Sequence, residues 1–593
     1  MGFHTLAIGV SALLTARYGL DVTGQNLGNV DTDGYSRQRL QQDATLGWNQ
    51  GLTNAVFGTG VWVKSVKRVA SEFVEKQLRT ATSTDNYYTD LQKCYTNIQA
   101  FFNEITGNAL SDSMNKFWNS MSDLSAHVES VPIRGTVVSD AEAMVTRFNS
   151  MGTQLSEFRQ SKEEEVQESV RQINRLLESI AYLNQEVVKG EQGGVNGMMA
   201  NDLRDQRGEM IKELYGLMDI DVVEEANGSS IISIHGRTLV YHNDYQSIIG
   251  DQIKSDDMII TIPVFASDHY PLSPKDGLLA AQMEERDVII KTYKDDLDQL
   301  AAKFIWEFNK TYSQTRGLVA FDSLTTKYAP MDPAVTLDKL AYTDLVPAGN
   351  FQIVNGNFEI IVHNPNTNED TTVNIEVDLD GRLGPGGEPD MILWDPENPE
   401  ATNSLIYRMQ TELDKVAPGA FKVTIDRQHH VTLESVSPTT YNFAFGSDTS
   451  GVLAALGLNV LFTGHNAINM GVNQDLKKEP ELLGAAKTFV PGDNSGVIDF
   501  LNLRDTKVFT QGMTLQEFHT SVVGRLASEA SRTTNLQEMY SDIQQHMFVQ
   551  RESLSGVSED EETTKLITYQ RSFQAAAKFI STVDIFYETL INM

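Results

Sequence analysis

The chain has 593 residues, of which 40% are hydrophobic and 21% charged, and its formal net charge is −33 at pH 7. This length exceeds a single hydrophobic core and predicts about three or four domains of soluble type. An acidic chain repels nucleic-acid phosphates and anionic lipids, so nucleic-acid binding is not expected, and no apolar run is long enough to predict membrane insertion.

Cysteine chemistry is limited to Cys94. A single thiol excludes an intrachain disulfide and every multi-cysteine metal site. Its amphipathic helical surroundings predict a buried core residue rather than a nucleophile. The first residues lack the basic and continuous apolar segments of a cleavable secretion signal. A cytoplasmic protein would fit these features, and so would one exported by a machine that recognises uncleaved N-termini.

The first 30 residues predict a helix with an apolar stripe along one side, in which Arg17 takes one position of the repeat. The apolar positions are Phe3, Leu6, Val10, Leu13 and Leu20. The polar loop 25–35 follows, rich in the Asn, Asp and Gly residues that end helices and form turns. Residues 36 to about 70 alternate in places, which predicts extended structure.

The middle of the chain alternates between helical and strand patterns. Residues 71–215 are helical, and the apolar face from Leu155 to Val187, with Lys162 at one position, predicts a helix of about 40 residues. Between 218 and 272 the period changes to two, and Asn227-Gly228 marks a hairpin. Helical spacing returns at 278–312 and again from about 514.

Residues 325–462 are polar, contain several strand-like runs and have connections rich in Gly, Pro, Asn and Asp. This composition predicts an inserted all-β domain.

The last 35 residues carry an unbroken heptad of apolar residues, a pattern that forms a narrow stripe for a partner helix. The heptad positions are Leu566, Tyr569, Phe573, Ala576, Ile580, Val583, Tyr587 and Leu590. Ser558 and Glu561 predict a capping box at the start of this helix. We expect the helix to be ordered only against residues 3–27 and neighbouring subunits. The alternative is an ordinary helical hairpin within a monomer.

Together these patterns predict an α+β multidomain fold with a nested order. The N- and C-terminal helices pair in a coiled-coil-like bundle, followed inward by a helical domain and inserted β domains. The predicted domains are a terminal helical domain of 1–60 with 546–593, an inner helical domain of 61–217 with 273–324 and 463–545, a small β subdomain of 218–272, and an outer β domain of 325–462.

Signatures of catalysis or cofactor binding are missing from the sequence, so we expect no enzyme, no cofactor and no metal site. His429-His430 is the one adjacent histidine pair, and neighbouring strand residues point to opposite faces. Asp378-Leu379-Asp380-Gly381 resembles the start of a calcium loop, but the glycine comes too early and Arg382 takes a ligand position. Gly384-x-Gly386-Gly387 lacks the strand and helix of a dinucleotide loop.

Two segments resemble the family of flagellar rod, hook and hook-associated proteins. At the N-terminal end the resemblance rests on the loop residues Asn26, Asn29, Thr32, Gly34, Tyr35, Arg37 and Gln38. At the other end it rests on Ser555-Gly556-Val557, the acids Glu559–Glu562 and the helix that follows. Tyr35-Ser36-Arg37-Gln38 and the run from Asp448 to Gly464 are typical of the hook-associated members.

The resemblance implies a structural component of the bacterial flagellum, an adaptor that joins hook to filament. It implies unfolded passage through the type III flagellar export channel, an extracellular location, and terminal helices that line an axial tube. The implied partners are copies of the chain in a ring, the hook protein, neighbouring hook-associated or filament proteins and an export chaperone. Tyr35 would anchor the loop, and Asn26 and Asn29 would cap backbone groups. The alternatives are a hook or rod subunit, or a surface adhesin that binds through the outer β domain.

Overall fold

The computed structural model describes residues 2–32, 34–49, 56–102, 109–192, 200–255, 258–342, 352–380 and 390–592, except for the side chains of residues 2, 3, 48, 49, 56, 57, 192 and 590. The helices in these ranges are α1 (Gly2–Gly28), α2 (Glu72–Phe102), α3 (Leu110–Ala126), α4 (Val131–Gln192), α5 (Asn201–Leu217), α6 (Leu278–Glu284), α7 (Ile290–Tyr312), α8 (Leu405–Val416), α9 (Val452–Leu456), α10 (Gln474–Lys478), α11 (Ser495–Leu503), α12 (Leu515–Ser555) and α13 (Glu559–Ile591). A π-helical turn (Glu285–Ile289) joins α6 to α7.

The strands form small antiparallel sheets. They are β1 (Gln38–Ala44), β2 (Trp48–Asn49), β3 (Val56–Phe57), β4 (Val61–Arg68), β5 (Asp221–Glu224), β6 (Ser230–Ile234), β7 (Arg237–Tyr241), β8 (Asp244–Tyr245), β9 (Ile248–Ser255), β10 (Met258–Phe265), β11 (Ser323–Thr325), β12 (Gly356–Asn364), β13 (Glu369–Val377), β14 (Phe421–Ile425), β15 (Val431–Ser435), β16 (Asn442–Asp448), β17 (Phe462–Thr463) and β18 (Gly471–Val472). The α+β class is confirmed.

The chain forms two compact units, and both of its ends belong to the same one. Unit 1 consists of residues 1–95, 160–288 and 530–593, and unit 2 of residues 96–159 and 289–529. The chain therefore leaves unit 1 and returns to it twice. The predicted terminal domain and the 218–272 subdomain fall in unit 1 and the 325–462 domain falls in unit 2, whereas the predicted inner helical domain contributes to both units.

The core of unit 1 lies between one face of α4, helix α5 and the β5–β6–β7–β8 sheet. Its α4 residues include Val166, Ile173 and Ile180, which recur at the helical period. Asn227 and Gly228 form the turn between the paired strands β5 and β6, as predicted. The Cys94 side chain is fully buried, which confirms its assignment as a core residue.

Helix α4 is longer than predicted, at 62 residues. Buried residues at helical spacing also precede Leu155 in the sequence. These are Val137, Ala141, Met144, Phe148 and Met151. The same apolar period therefore continues toward the N-terminus, and our prediction began the helix too late.

The prediction of an all-β segment at 325–462 is wrong, because it contains helix α8. Ser404 is the N-cap of α8 and accepts a hydrogen bond from the Tyr407 amide at 3.5 Å. Leu405, Met409 and Leu413 recur every four residues and are buried in the core that the sheets β13–β12–β16 and β11–β15–β14 share. The polar composition of the segment hid a short amphipathic helix.

This core also includes residues from outside the predicted outer domain. Trp306 on α7 and Phe321 pack in the same cluster as Phe358 and Leu433. The segment is thus part of the larger core of unit 2. In the ranges described above, no helix combines the length and apolar character needed to cross a membrane.

Candidate functional site at the terminal helix pair

The first and last helices of the chain pack against each other in antiparallel directions. A Cβ at Gly9 would lie 2.7 Å from Ile580 Cγ1, and one at Gly19 would lie 2.5 Å from the Tyr569 ring. As the position on α1 rises, the contacting position on α13 falls, which defines the antiparallel order. The backbones approach closely because neither glycine has a side chain.

The heptad of α13 is the face turned away from solvent. Leu566, Tyr569, Phe573, Ala576, Ile580, Val583 and Tyr587 are all buried or half-buried. Every other residue between Leu566 and Tyr587 is exposed. The side chain of Leu590, the last predicted position, lies outside the described residues.

The face of α1 that contacts α13 consists mainly of small residues. The sequence analysis predicted a stripe of large apolar residues on this helix instead. Gly9, Gly19 and Asn26 contact α13 directly. With Ala16 and Thr23, which are also buried, they recur at steps of three, four and seven. The residues at these intervals leave room for the larger side chains of α13.

The apolar residues predicted for α1 lie around this face. Leu6, Leu13 and Leu20 are half-buried, and Val10 is exposed. The side chain of Phe3 lies outside the described residues. Their predicted role in subunit packing stays a prediction, because it concerns a second chain.

A third element, the β1–β4 hairpin, covers another side of α1. Ser11 Oγ accepts a hydrogen bond from the Val61 amide at 3.4 Å. Gly60 has φ of +121°, and a Cβ there would lie 2.3 Å from Ser11 Oγ. The glycine is therefore required both for its backbone conformation and for its close approach to the helix.

Asn26 joins the end of α1 to the start of α13 and uses all four of its hydrogen-bonding positions. Its Nδ2 donates to Gln38 O at 2.9 Å and to Glu562 Oε2 at 3.0 Å. Its Oδ1 accepts from Tyr35 Oη and from the Gln38 amide, both at 2.9 Å. Because Asn26 and Glu562 are almost completely buried, these bonds replace water that neither side chain can reach. We call Asn26, Tyr35, Gln38 and Glu562 the terminal clamp.

The loop between Asn26 and Gln38 is held by its own turns. Asn29 Nδ2 donates to Gln25 O at 2.9 Å, which caps a free carbonyl at the end of α1. Thr32 Oγ1 donates to Asn29 Oδ1 at 3.2 Å, and Gly34 has φ of +78°. Burial and the nearby Asp202 and Asp205 raise the pKa of Tyr35. Its phenol therefore stays protonated and remains a donor.

The start of α13 is fixed by backbone and side-chain bonds. Ser558 is its N-cap, and its Oγ accepts from the Glu561 amide at 3.4 Å. The Glu561 carboxylate bonds to Arg37 Nη1 at 2.8 Å instead of closing the predicted capping box. The Arg37 amide donates to Ser555 O at 2.9 Å. The loop thus contacts both α13 and the end of α12.

The sequence analysis missed the role of Glu562. It lies four residues before Leu566 and so continues the heptad by one position, a signal that was available in the sequence. The sequence analysis named it only among the acids Glu559–Glu562 that carry the family resemblance. Its Oε1 also accepts from Lys565 Nζ at 2.6 Å, which satisfies the other oxygen of this buried carboxylate.

A cavity of about 370 Å³ lies beside the loop, and four of the charged groups that line it form two ion pairs. Arg68 Nη1 lies 2.8 Å from Asp205 Oδ1, and Arg551 Nε lies 3.2 Å from Glu75 Oε1. Burial raises the pKa of Asp205. Such paired groups hold helices together and leave none of the four free to act as an acid, a base or a nucleophile.

The other sequence motifs lie in turns. His429 Nδ1 is 2.8 Å from Pro330 O, whereas His430 pairs with Asp426, so the two rings have separate partners. Asp378 Oδ1 accepts from the Asp380 amide at 3.2 Å at the end of β13. Gly381, Arg382 and Gly384–Gly387 lie outside the described residues. Where side chains are described, no group of three metal-ligating residues converges.

Comparison with known proteins finds a family match at the C-terminal helix of the pair. Residues 550–593 match the family model for the C-terminal region of the flagellar basal body rod FlgEFG proteins. The match covers α13 and the end of α12, so this end of the chain is similar to axial proteins of the flagellum.

The rest of the chain identifies the family more closely. Residues 95–319 match the helical domain of flagellar hook-associated protein FlgK. Flagellar hook-associated protein 1 of Salmonella typhimurium is 22% identical over 597 residues, covering 98% of both chains. The Bacillus subtilis protein of that name is 30% identical over 242 residues, which are 40% of this chain and 46% of that protein. Along almost its whole length the chain is therefore similar to flagellar hook-associated protein 1.

These similarities make the chain a structural component of the flagellum and not an enzyme. A solved structure of the flagellar hook junction protein FlgK from Burkholderia pseudomallei aligns with a TM-score of 0.47 and 12% identity, covering 81% of this chain and 100% of that one.

Proposed function

We propose that the chain is the junction subunit that joins hook to filament, and that copies of it assemble into a ring through their terminal helix pairs. This proposal rests on apolar side chains that are exposed on the two terminal helices, in addition to those buried where α1 and α13 contact each other. Val10, Leu14 and Tyr18 are exposed on α1, spaced four residues apart on one face. On α13, Ile585 is 61% exposed and Phe586 is 63% exposed.

We expect a second copy of the helix pair to cover these exposed residues. Covering a half-exposed aliphatic or aromatic side chain stabilises an interface by about 1 kcal/mol, so five of them favour association appreciably. The heptad of α13 supports a coiled-coil geometry for the pair, with the terminal helices lining an axial channel. Helices from neighbouring copies, the hook protein and other hook-associated or filament proteins would pack on the same faces.

The termini are also suited to passage through a narrow export channel. Helix α1 contains five glycines in 27 residues. Each glycine inside a helix costs about 1 kcal/mol relative to alanine, so α1 depends on its partners for stability. The lone thiol cannot form an intrachain disulfide that would block threading. These features suit passage of the unfolded chain through a flagellar export channel and folding outside the cell.

Two neighbouring positions on α13 test this proposal. Val583 is 9% exposed and lies on the buried heptad face of α13, whereas Ile585, two residues later, is exposed to solvent. We expect Ile585→Asp to leave the α1–α13 pair folded but to abolish incorporation into flagella. We expect Val583→Asp to disrupt the pair itself. Hydrogen exchange of α1 in the purified chain measures the pair, and labelled microscopy of flagella measures incorporation.

Deletion of residues 566–593 is a more severe test of the same proposal, because it removes most of α13. The remaining chain should keep a folded, soluble unit 2, checked by its near-ultraviolet circular dichroism, and should not enter flagella. If Ile585→Asp assembles like the unmodified chain, the outward face has no subunit contact and the terminal pair is an ordinary intrachain hairpin.

A further inference from the structure

A buried charge cluster in unit 1 places three carboxylates around one ammonium group. Lys162 Nζ on α4 lies 2.8 Å from Glu285 Oε2, 2.8 Å from Glu165 Oε2 and 3.3 Å from Asp90 Oδ2. Asp90 is on α2, and Glu285 is the first residue of the π-helical turn. The Lys162 side chain is 6% exposed and the Glu285 side chain is 0% exposed.

The adjacent ion pair provides a contrast within the same structure. Glu163 accepts hydrogen bonds from the Thr261 amide, Gln167 Nε2 and Arg286 Nη1, at distances between 2.6 and 3.1 Å. One carboxylate there meets one guanidinium and several neutral donors. In the described part of the chain, by comparison, Glu285 Oε1 accepts no hydrogen bond.

Full ionisation would leave this cluster with a net charge of −2. Burying a charge without a matched partner is costly, and one lysine cannot neutralise three carboxylates. A proton on Glu285 removes one of the two excess negative charges, so that the buried oxygen without a hydrogen bond no longer carries charge. Glu285 is the candidate because it is more deeply buried than Asp90 or Glu165.

We propose that Asp90, Lys162 and Glu285 form a proton-controlled lock between α2, α4 and the π-helical turn, closed when Glu285 carries a proton and weakened when Glu285 ionises. The turn is the element that loosens first. Its hydrogen bonding departs from that of the α-helices on both sides, and such turns are rare and often occur at functional positions.

The electrostatic surroundings agree with this assignment. Burial, followed by Asp90, raises the pKa of Glu285 to about 8, although Lys162 opposes the shift. The groups that act on Glu285 are Asp90 and the Cys94 thiol on α2, and Lys162 and Glu165 on α4. Arg286, its neighbour in the sequence, pairs with Glu163 and Asp287. Burial raises the pKa of Cys94, so the thiol stays neutral beside the cluster.

The direction of the pH effect follows from this raised pKa. The unfolded chain releases the Glu285 proton near the ordinary glutamate pKa of about 4.3, whereas the folded chain keeps it to about pH 8. The lock is therefore fully closed in acid and loses stability as the pH rises between these values. Its opening constant rises by at most about tenfold per pH unit, and then levels off above pH 8.

Hydrogen exchange of the full chain between pH 5 and 9, corrected for intrinsic exchange rates, tests the proposal in peptides that cover residues 285–289. Protection in the unmodified chain should fall with pH up to about 8 and then stay constant. Glu285→Gln mimics the protonated side chain and should keep its protection throughout. Glu163→Gln, the control, should lose protection at every pH and retain the pH-dependent fall.

If Glu285→Gln does not fold, a second variant that leaves Glu285 in place still tests the proposal. Asp90→Asn removes a carboxylate that raises the Glu285 pKa in the folded chain, so the fall in protection should end at lower pH, whereas its start, set by the pKa of the opened chain, stays the same. The proposal is overturned if exchange in the unmodified chain is independent of pH, if Glu285→Gln retains the full pH dependence, or if Asp90→Asn leaves the midpoint unchanged.

Discussion

At the scale of single residues, Asn26 determines how the two ends of the chain are connected. Its buried side chain bonds to a loop, a strand and a distant helix together, and its partner Glu562 is 536 positions away. A neutral amide suits the position, because its NH₂ group faces a carboxylate and a carbonyl while its oxygen faces two donors.

We predict that Asn26→Ala destabilises the terminal pair by about 2–4 kcal/mol, because it leaves Glu562, Tyr35 and the Gln38 backbone without their buried partner. Asn26→Asp should be at least as damaging at neutral pH, since it sets two carboxylates side by side. Asn29→Ala, which removes only a partly exposed cap, should cost about 1 kcal/mol or less. Hydrogen exchange in α1 and α13 measures the differences. Equal effects of Asn26→Ala and Asn29→Ala would contradict the importance of the clamp.

The residues of the clamp could be predicted only in part. The family resemblance singled out Asn26, Tyr35 and Gln38. Nothing in their local sequence indicates that the Asn26 amide reaches Glu562, because a hydrogen bond between distant segments leaves no periodic signal. The partner becomes visible only when Glu562 is recognised as a further position of the C-terminal heptad.

At the scale of elements, the contacting face of α13 could be predicted from the sequence, whereas the contacting face of α1 could not. The α13 face contains large apolar residues, and its heptad is evident in the sequence. The facing side of α1 contains Gly9, Ala16 and Gly19, which contribute little apolar character, so the bulkier Leu6, Val10 and Leu13 suggested a different face. Close packing of large residues against small ones explains the discrepancy.

We predict that Gly19→Ala weakens the terminal pair by about 1–3 kcal/mol, because its Cβ would meet the Tyr569 ring at 2.5 Å. Gly24→Ala is the matched control on the same helix, since a Cβ there meets nothing within 4 Å. It should stabilise α1 by about 1 kcal/mol through helix propensity alone. Thermal melting of the far-ultraviolet helical signal measures both. Stabilisation by Gly19→Ala equal to that by Gly24→Ala would show that the two helices are not in close contact.

At the scale of the whole molecule, the order of patterns along the chain predicted that both ends belong together. The return of the chain to unit 1 is consistent with this prediction, since terminal helices of matched length need each other as partners. The boundaries inside the chain were harder to place. Helix α4 continues from one unit into the other, so its composition does not change at the boundary. Helix α8 packs in a core whose residues come from widely separated segments, so the local sequence does not show which unit it belongs to.

The central claim is that the outward faces of the terminal pair are buried against other subunits in the assembled flagellum. Single cysteines at Leu14 and Phe586, each introduced with Cys94→Ser and compared with Val436→Cys on the 325–462 segment, test it by thiol alkylation. All three positions are exposed in the single chain. We predict that the first two cysteines react quickly in the purified chain and become protected at least tenfold in flagella, while the cysteine at 436 reacts equally in both. Unchanged reactivity at positions 14 and 586 after assembly would contradict the claim.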